Sequence, residues 1–354
     1  MASIIIADMT GRYDGRDLET RPLGATEASV ILLAREFARF GHDVTVHTNG
    51  EEDFVHMGVR WRPLSAAPAE TCDVYVTVQQ VGLLDYVPRP RSRAIWVLWG
   101  ANQLRHYKKL GRMWRYKPTP ILMSQAQVND YWPVLPRRSD ITVIHLPVPA
   151  DVHEVPPLQA PPPRRAIFAS NPQRNLRALV EIWAERILPQ VPDAVLDVYG
   201  VHQLRPDQDA WTEWAGGVLP TGMSEATKAS VIVHPTAPRA QLLEAMRDAR
   251  AMLYLGHKCE AFCMSLAEAQ ALGTPAVVAP VAAVPERVID GVTGFHHADP
   301  AAFARDAVRL LTDDALWASQ HAAALKLQQG LTVEEYARRF EAAILRPETA
   351  RAAA

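Results

Sequence analysis

This sequence of 354 residues has little net charge, no long apolar run and few cysteines. The formal net charge is only −2, which gives no overall attraction to nucleic acid or to an anionic surface. No run of eighteen apolar residues occurs, so no segment is predicted to span a membrane. The three cysteines, Cys72, Cys259 and Cys263, suit a reducing cytosol. We therefore expect a cytoplasmic protein.

The start of the sequence and one cluster of residues argue against two further features. Residues 1–3 lead directly into the apolar run 4–7, without the charged region or cleavage site of a signal peptide, so we predict a first strand there. His257, Cys259 and Cys263 lie close together in the sequence, but their spacing fits no common metal site and a fourth ligand is missing. We predict no metal site.

Short apolar runs alternate with helix-patterned segments, which predicts an α/β protein with parallel sheets. The length suits two domains, 1–150 and 166–330, followed by a last helix and tail at 331–354. Between the domains, the proline-dense segment 151–165 neither continues a helix nor pairs in a sheet, and it predicts a stiff linker. The predicted strands are 4–8, 44–48, 73–78, 94–99, 121–124, 141–146, 166–170, 195–200, 231–234, 252–255 and 276–279. The predicted helices are 26–40, 241–248, 264–272, 300–312, 315–327 and 332–345.

The most informative stretch runs from Tyr254 to Pro280. A buried strand there ends in a polar turn that contains Glu260, and a helix that contains Glu268 follows. In an open parallel sheet, ligands bind outside the carboxyl ends of the strands, where the amides of helix starts face the crevice. Small residues around both acids let a ligand approach closely. Spacing alone favours a simpler interpretation, with Glu268 on an exposed helix face and Glu260 as a helix-start acid. The small residues shift the balance toward a ligand site.

The same stretch resembles a known family. In EAFCMSLAE, seven residues separate Glu260 from Glu268, as in the E-x7-E signature of the retaining GT-B glycosyltransferases (group 1, family 4-like). VPERVIDGVTGF at 284–295 is similar to that family's next segment, and PLGATEASVILLAREFARFGHDVTV at 22–46 resembles its first β–α–β unit. The resemblance implies the GT-B fold, with two Rossmann-like α/β domains facing each other across a cleft. It also implies a C-terminal helix that crosses back to the first domain.

The resemblance implies roles for individual residues. Glu260 would hold hydroxyls of the transferred sugar, with action as a nucleophile as the alternative. Glu268 would bind the ribose hydroxyls, and Arg174 would meet the donor diphosphate, for which a guanidinium near a helix start is well suited. The other donor contacts are implied at Gly24, Ala25, Gly200, Ala261, Phe262, Cys263, Met264 and Ser265.

Two residues of the family are absent from the matching positions. Where relatives present a His to the donor sugar, this chain reads GAN at 100–102, and the nearest imidazole is His106. Either Asn102 or His106 substitutes as a catalytic contact, or that contact is absent. Where relatives follow the Arg with a Lys, this chain has Asn175 or Leu176, with Arg177 as a candidate stand-in.

Two charged segments of the N-terminal half are each open to two interpretations. The charges of the loop before residue 24 suit either contact with an acceptor or plain solvation; they are Asp14, Arg16, Asp17, Glu19 and Arg21. Arg105–Lys117, RHYKKLGRMWRYK, interleaves basic and aromatic residues, which suits an anionic membrane surface or a phosphate-bearing acceptor. A solvated helix with inward aromatics is the alternative. The near-neutral chain favours lipid over nucleic acid as a partner, at the inner face of a membrane.

Together, these resemblances imply a retaining glycosyltransferase. It would move a hexose from a UDP- or GDP-sugar to a hydroxyl of a glycan or lipid-linked acceptor, in cell-surface polysaccharide or glycolipid synthesis. We expect no metal and no cofactor, because Arg174 and the helix-start amides near Cys263 would offset charge on the departing diphosphate. The missing His and Lys leave two alternatives. One is a nucleotide-sugar-binding or scaffold protein that has lost turnover, and the other is a different GT-B enzyme such as a nucleotide-sugar epimerase.

Overall fold

The computed structural model of the chain describes residues 1–21, 23–200, 219–235 and 237–345. Contacts divide the chain into two units, and each is built around one sheet. The first unit combines Met1–Pro147 with Leu331–Ala354, and the second is Val148–Gly330. The chain therefore leaves the first unit once and returns to it at its C-terminal end.

The first unit contains a mostly parallel sheet. Its strands are β1 (Ser3–Ala7), β2 (Asp43–Thr48), β3 (Phe54–His56), β4 (Val59–Pro63), β5 (Thr71–Val78), β6 (Arg89–Trp96), β7 (Thr119–Leu122) and β8 (Thr142–Val143). The order is β3-β4-β2-β1-β5-β6-β7-β8, and only the β3–β4 pair is antiparallel among the paired strands. The central strands are nearly continuous apolar runs, as burial on both faces of a parallel sheet requires.

Helices connect these strands on the faces of the sheet. They are α1 (Asp17–Thr20), α2 (Ala25–Arg39), α3 (Tyr107–Tyr116) and α4 (Gln125–Asp130), with short 3-10 turns at Val81–Leu83, Ala101–Leu104 and Arg138–Asp140. In α2 the buried residues include Val30, Ile31, Ala34 and Phe37. Their spacing makes one apolar stripe, which holds the helix against the sheet.

The second unit is built on a fully parallel sheet. Its strands are β9 (Arg165–Ala169), β10 (Val195–Tyr199), β11 (Val231–Val233), β12 (Ala251–Tyr254), β13 (Ala276–Val278) and β14 (Gly294–His296), in the order β11-β10-β9-β12-β13-β14. Its helices are α5 (Ala150–Glu154), α6 (Leu176–Ile182), α7 (Glu225–Ser230), α8 (Arg239–Arg247), α9 (Met264–Ala271), α10 (Pro300–Thr312) and α11 (Asp314–Leu327). A π-helical turn, Trp183–Ile187, extends α6, and a 3-10 turn forms at Val284–Arg287.

The last helix, α12 (Val333–Ile344), belongs to the first unit. Thr332 caps it together with Glu335, each side chain bonding the backbone of the other. The buried Phe340 ring lies 5.1 Å from that of Trp96 and 6.0 Å from that of Phe37, measured between ring centroids. This is the helix that the sequence predicts to return to the first domain.

The structure differs from the predicted linker at 151–165. Part of that segment is helical, in α5, and its contacts assign all of it to the second unit, which begins at Val148. The carbonyl oxygen of Leu158 lies 3.1 Å from Nε2 of His321, and that of Pro162 accepts a 2.7 Å hydrogen bond from Nε of Arg250. Prolines lack an N–H but keep a carbonyl, so a proline-dense segment can dock through its acceptors without pairing in a sheet.

Every predicted strand overlaps a strand of the structure, and every predicted helix overlaps a helix. Strand 141–146 is shorter than predicted, because only Thr142–Val143 pairs with β7. The hairpin of β3 and β4 is not predicted, because neither strand is a continuous apolar run like the predicted strands. Strand β14 is also missed because it starts at Gly294. A Cβ at that glycine would come within 2.1 Å of the carbonyl oxygen of Ala276, so the close pairing with β13 requires glycine.

Candidate functional site

The predicted site residues of the second unit gather at the carboxyl ends of β10, β9 and β12, which are neighbours in the sheet. Strand order reverses at β9, and ligands of open α/β sheets bind at such a point. Gly200, directly after β10, has φ +102°, and a Cβ there would come within 2.2 Å of the carbonyl oxygen of Ser170, directly after β9. Glycine therefore lets the exits of two neighbouring strands approach each other.

Glu260 is buried at this edge, and its carboxylate has two partners. Oε1 accepts a 2.5 Å hydrogen bond from the hydroxyl of Tyr254 and lies 3.2 Å from Nε of Arg174. Burial raises the pKa of Tyr254 well above its ordinary value, so the phenol stays protonated and donates. The structure thus brings together two residues of the predicted site, Glu260 and Arg174, and adds Tyr254 to them.

Asn175 stands where relatives have a Lys, and it ties two turns together. Its backbone is left-handed, with φ +65°, at the start of α6. Its Nδ2 donates a 2.6 Å hydrogen bond to the carbonyl oxygen of Gly256, in the turn after β12. Arg177, the candidate stand-in, instead forms an exposed pair with Glu181, 3.4 Å between Nε and Oε1. Arg177 is therefore engaged at the surface, and its role in place of the family's Lys stays a prediction.

The start of α9 follows Glu260 directly. The predicted sugar contacts here are Ala261, Phe262 and Cys263, which are buried, and Met264 and Ser265, which are half-buried. Cys263 is the N-cap residue and has φ +67°. Burial, assisted by the carboxylate of Glu260, raises the pKa of the Cys263 thiol to about 12. The thiol is therefore neutral, and the helix start keeps its partial positive charge. The guanidinium of Arg287 lies over the Phe262 ring, 4.4 Å from its centroid.

Glu268 is 4% exposed, in the interior of α9. Its Oε1 accepts a 2.8 Å hydrogen bond from Nη2 of Arg239, the first residue of α8. The same guanidinium donates to both carboxylate oxygens of Asp151 on α5, with 2.9 Å between Nη2 and Oδ1. Burial raises the pKa of Glu268, and Arg239 opposes that shift. The interpretation of Glu268 as an exposed helix face is therefore wrong.

The predicted donor contacts of the first unit lie at the start of α2. Gly24 is the N-cap residue and Ala25 the first helical residue, and both are exposed. The carboxylate of Glu27 lies against the loop, because a Cβ at Gly24 would come within 2.4 Å of its Oε2 and a Cβ at Gly11 within 2.9 Å of its Oε1. The two glycines make room for Glu27, whose side chain the sequence does not assign to the site.

His106 and Asn102 both lie in the first unit, and both are exposed. His106 is the N-cap residue of α3: its Nδ1 accepts a 3.3 Å hydrogen bond from the amide of Lys108, and its ring stacks on that of Tyr107. Asn102 belongs to the 3-10 turn Ala101–Leu104. The structure gives His106 a capping role, and a catalytic role for either residue stays a prediction.

The charges of the loop before α2 pair mainly with close neighbours. The ion pairs are Arg16–Asp14 at 2.7 Å, Arg21–Asp17 at 2.9 Å and Arg35–Glu19 at 2.6 Å. One side chain of each pair is exposed, namely Arg16, Arg21 and Glu19. The arrangement favours solvated loop charges over a preformed acceptor contact.

Metal centres and membrane-spanning helices are two other features to consider in the described residues. Within residues 1–21, 23–200, 219–235 and 237–345, no group of three or more His, Cys, Asp or Glu side chains is placed to hold a metal ion. No helix found in those ranges has both the length and the apolar character needed to cross a bilayer.

Sequence reasoning missed Arg239, Asp151 and the inward position of Tyr254. Arg239 and Asp151 lie far from Glu268 in the sequence, and no spacing rule connects them. Tyr254 is the last residue of β12. Because side chains along a strand alternate between the two faces of the sheet, its side chain could have been placed on the same face as Glu260.

Comparison with known proteins agrees with this geometry. Residues 164–313 match the family model described as "Glycosyl transferases group 1". No curated protein sequence matches the chain. Among solved structures, Anabaena HepE in complex with UDP and glucose has a TM-score of 0.70 at 15% identity, covering 99% of this chain and 100% of that one. Sucrose-phosphate synthase from Thermosynechococcus elongatus has the same TM-score and identity, with 100% of both chains covered. WaaG, a glycosyltransferase involved in lipopolysaccharide biosynthesis, has a TM-score of 0.66 at 14% identity, covering 97% and 100%.

The similar structures show the fold of nearly the whole chain: α/β units with parallel sheets, as in the GT-B glycosyltransferases. The family match is confined to the second unit, and it includes Arg174, Gly200, Glu260 and Glu268. The chain therefore has the GT-B fold, and its residues 164–313 are similar to the group 1 glycosyl transferases.

Proposed function

We propose that this chain is a retaining glycosyltransferase that moves a hexose from a nucleotide-diphosphate sugar to a hydroxyl of a glycan or lipid-linked acceptor. The observation that carries the proposal is a pair of buried acids on the turn and helix that follow β12, Glu260 and Glu268. Each is paired with an arginine from another element. The similar structure of HepE contains UDP, which supports a UDP-sugar over a GDP-sugar. The likeness to WaaG supports a place in cell-surface polysaccharide or glycolipid synthesis.

In this proposal, Glu268 binds the nucleoside. A carboxylate accepts two hydrogen bonds at once, which matches the two neighbouring hydroxyls of a ribose. Its burial makes each bond stronger than on the surface, because competing water is excluded.

Glu260 holds hydroxyls of the transferred sugar. Its Oε1 is already shared by the Tyr254 hydroxyl and Arg174. Donors of this kind withdraw charge from the oxygen, which favours the holding role over the alternative role as a nucleophile.

The reaction breaks the bond between the sugar's C1 and the diphosphate oxygen, which leaves with the electron pair. The acceptor hydroxyl oxygen forms the new bond to C1 on the face that the diphosphate leaves, and its proton passes to the departing diphosphate oxygen. Arg174 and the amides at the start of α9 would offset the charge that develops on the diphosphate. We propose on this basis that the reaction needs neither a metal nor a cofactor.

We further propose that α3 docks on an anionic membrane surface that presents the acceptor, at the cytoplasmic face. Tyr107 and Trp114 are seven residues apart and largely exposed, whereas Met113 is buried against the core. Lys108 and Arg115, also seven apart, lie beside the two aromatics and are exposed. The helix thus presents an aromatic edge next to a basic edge, a combination that suits the interface of an anionic bilayer.

A nucleotide-sugar-binding protein without turnover is the second candidate. It is favoured by the capping role of His106 and by the neutral Asn175 at the family's Lys position. A nucleotide-sugar epimerase of the same fold is the third reading, and it differs by its product.

One experiment separates these functions. Thermal shift against UDP, GDP and ADP identifies the nucleotide, because a ligand that binds only the folded state raises its melting temperature. Incubation with the matching nucleotide sugars, with and without glycan and lipid acceptors, then shows whether nucleotide is released. Release with a glycosylated product supports transfer, release with an isomerised free sugar supports the epimerase, and binding without release supports the scaffold. Unchanged nucleotide affinity in Glu268→Ala would contradict the ribose role.

A further inference from the structure

Glu268 poses an electrostatic problem that the proposed ribose role does not solve. A carboxylate this deeply buried favours its protonated form, because removal from water penalises the charge. A protonated carboxyl has one O–H donor, and it cannot accept from two ribose hydroxyls as an ion does. A buried carboxylate that binds ribose hydroxyls at neutral pH therefore needs a neighbouring cation to stay ionised.

The elements packed against α9 supply one such cation. From α8, Arg239 approaches Oε1 at 2.8 Å, and from α5, Asp151 adds an unfavourable negative charge. On α11, His321 bonds the carbonyl oxygens of Gly273 and Leu158 instead. In the 3-10 turn after β13, Arg287 lies over the ring of Phe262. Among the described residues, Arg239 is the cation that directly pairs with Glu268.

Helix stability does not explain this arginine. Arg239 is the first residue of α8, where a positive charge opposes the helix macrodipole. Its guanidinium spans two acids from different elements, Asp151 and Glu268. The bond to Glu268 uses Oε1 and so does not occupy Oε2, which leaves a carboxylate oxygen for a ligand.

We propose that Arg239 is a positioning residue for the donor nucleoside: it keeps Glu268 ionised and oriented toward the ribose hydroxyls, and Asp151 holds Arg239 in place. The proposal rests on the ribose role of Glu268 given under the proposed function. It adds a residue that acts through Glu268 without touching the reacting atoms.

The test is the pH dependence of UDP affinity, measured by isothermal titration calorimetry between pH 6 and 8.5. The variants are Arg239→Met, which removes the charge, and Arg239→Lys, which keeps it. Arg247→Gln is the matched control, because Arg247 lies on the same helix and pairs with its neighbour Asp248. Titration of the UDP phosphates affects all proteins equally, so each Kd is divided by the wild-type Kd at the same pH.

Loss of the Arg239 charge raises the pKa of Glu268 further, so Glu268 must release a proton before it can bind. The Kd ratio of Arg239→Met should therefore rise as pH falls, by up to about tenfold per pH unit for one linked proton. Binding enthalpy in buffers of different ionisation heat should show that proton release. The ratios of Arg239→Lys and Arg247→Gln should stay flat, and so should that of Arg239→Met combined with Glu268→Gln.

A flat Kd ratio in a folded Arg239→Met protein overturns the proposal. Melting curves establish folding, and Arg239→Gln provides a second uncharged variant, with the same expected profile, if Arg239→Met does not fold. The proposed function fails in a different way: UDP would not bind the wild type at any pH, or Glu268→Ala would bind it as tightly as the wild type does.

Discussion

The two units carry their charges in different ways. In the second unit, Glu260 and Glu268 are buried, and each is paired with an arginine from another element. In the first unit, Asp14 and Glu19 pair with neighbours at the surface, and Lys108 of α3 faces solvent. A buried charge is fixed in position and acts strongly on one group, whereas exposed charges are screened and act in numbers.

This difference fits two kinds of recognition. A small, highly charged donor requires a few side chains at set distances, which burial and pairing provide. An extended acceptor or a lipid surface is better met by many weak, exposed contacts. The family match at residues 164–313 lies entirely in the second unit, which contains Glu260 and Glu268.

Thiol reactivity tests whether burial acts alike in the two units. Burial raises the pKa of Cys72 in the first unit and of Cys263 in the second to about 12. Only the thiolate is nucleophilic. With a pKa of about 12, about one molecule in ten thousand is a thiolate at either position at pH 8. We expect iodoacetamide to label half-buried Cys259 at least about a hundredfold faster, as followed by peptide mass spectrometry. Rates at Cys72 and Cys263 should rise about tenfold per pH unit. Equal rates at all three cysteines would contradict the burial.

Glu260→Gln tests the fixed charge at the sugar. Gln keeps the shape and can still accept from Tyr254, but it loses the charge, so we expect turnover to fall by about a hundredfold to a thousandfold. UDP affinity should change little, because the side chain faces the sugar in our proposal. Steady-state UDP release and calorimetry measure the two effects. Glu225→Gln, at an acid of the same unit whose side chain is 90% exposed, is the control and should be silent. Turnover within twofold of wild type would exclude the role.

Arg174→Gln tests the diphosphate contact. A charge-assisted hydrogen bond contributes about 1.5–3 kcal/mol, so the affinity for UDP should fall by about ten- to a hundredfold. The affinity for uridine, which has no phosphate, should stay the same. Arg177→Gln serves as the matched control, because Arg177 is exposed and paired with Glu181. An equal loss for UDP and uridine would indicate a structural role instead.

Neutralising α3 tests the exposed charges of the first unit. Each basic residue near an anionic bilayer contributes about 1 kcal/mol, so Lys108→Gln with Arg115→Gln should weaken binding to anionic vesicles by about thirtyfold. Turnover on a water-soluble acceptor should not change. The control pair, Arg60→Gln with Arg62→Gln, removes cations that are paired with Asp53. Co-sedimentation at two salt concentrations decides, and wild-type binding that is absent or insensitive to salt would rule out the membrane surface.

Much of the fold follows from the sequence because its strands are short apolar runs between turn residues. The resemblance to the GT-B family assigned Arg174 and Glu260 to one donor site, and the structure pairs them, with 3.2 Å between Nε and Oε1. The E-x7-E spacing also located Glu268 on a helix. Spacing does not tell which face of that helix is buried. The packing of α9 against α8 and α5 buries the acid.

The features that sequence reasoning missed depend on contacts between distant segments. Arg239 meets Glu268 and Asp151 across three elements, and local patterns carry no trace of that. The docking of the proline-dense segment is similar, since the acceptor at Pro162 finds its donor at Arg250. The hairpin at 54–63 was missed because its strands lack a continuous apolar run, although the alternation of apolar residues and arginines in VRWRP is itself a strand signal.

The return of α12 makes the first unit discontinuous, and this sets an order for folding during synthesis. The ribosome releases the whole second unit before residues 331–345 emerge. Until then, Trp96 and Phe37 lack the aromatic partners that Phe340 and Tyr336 provide. The second unit can close while the first still waits for its last helix, so a nascent chain that stops at Gly330 would expose that aromatic face and become a target for chaperones.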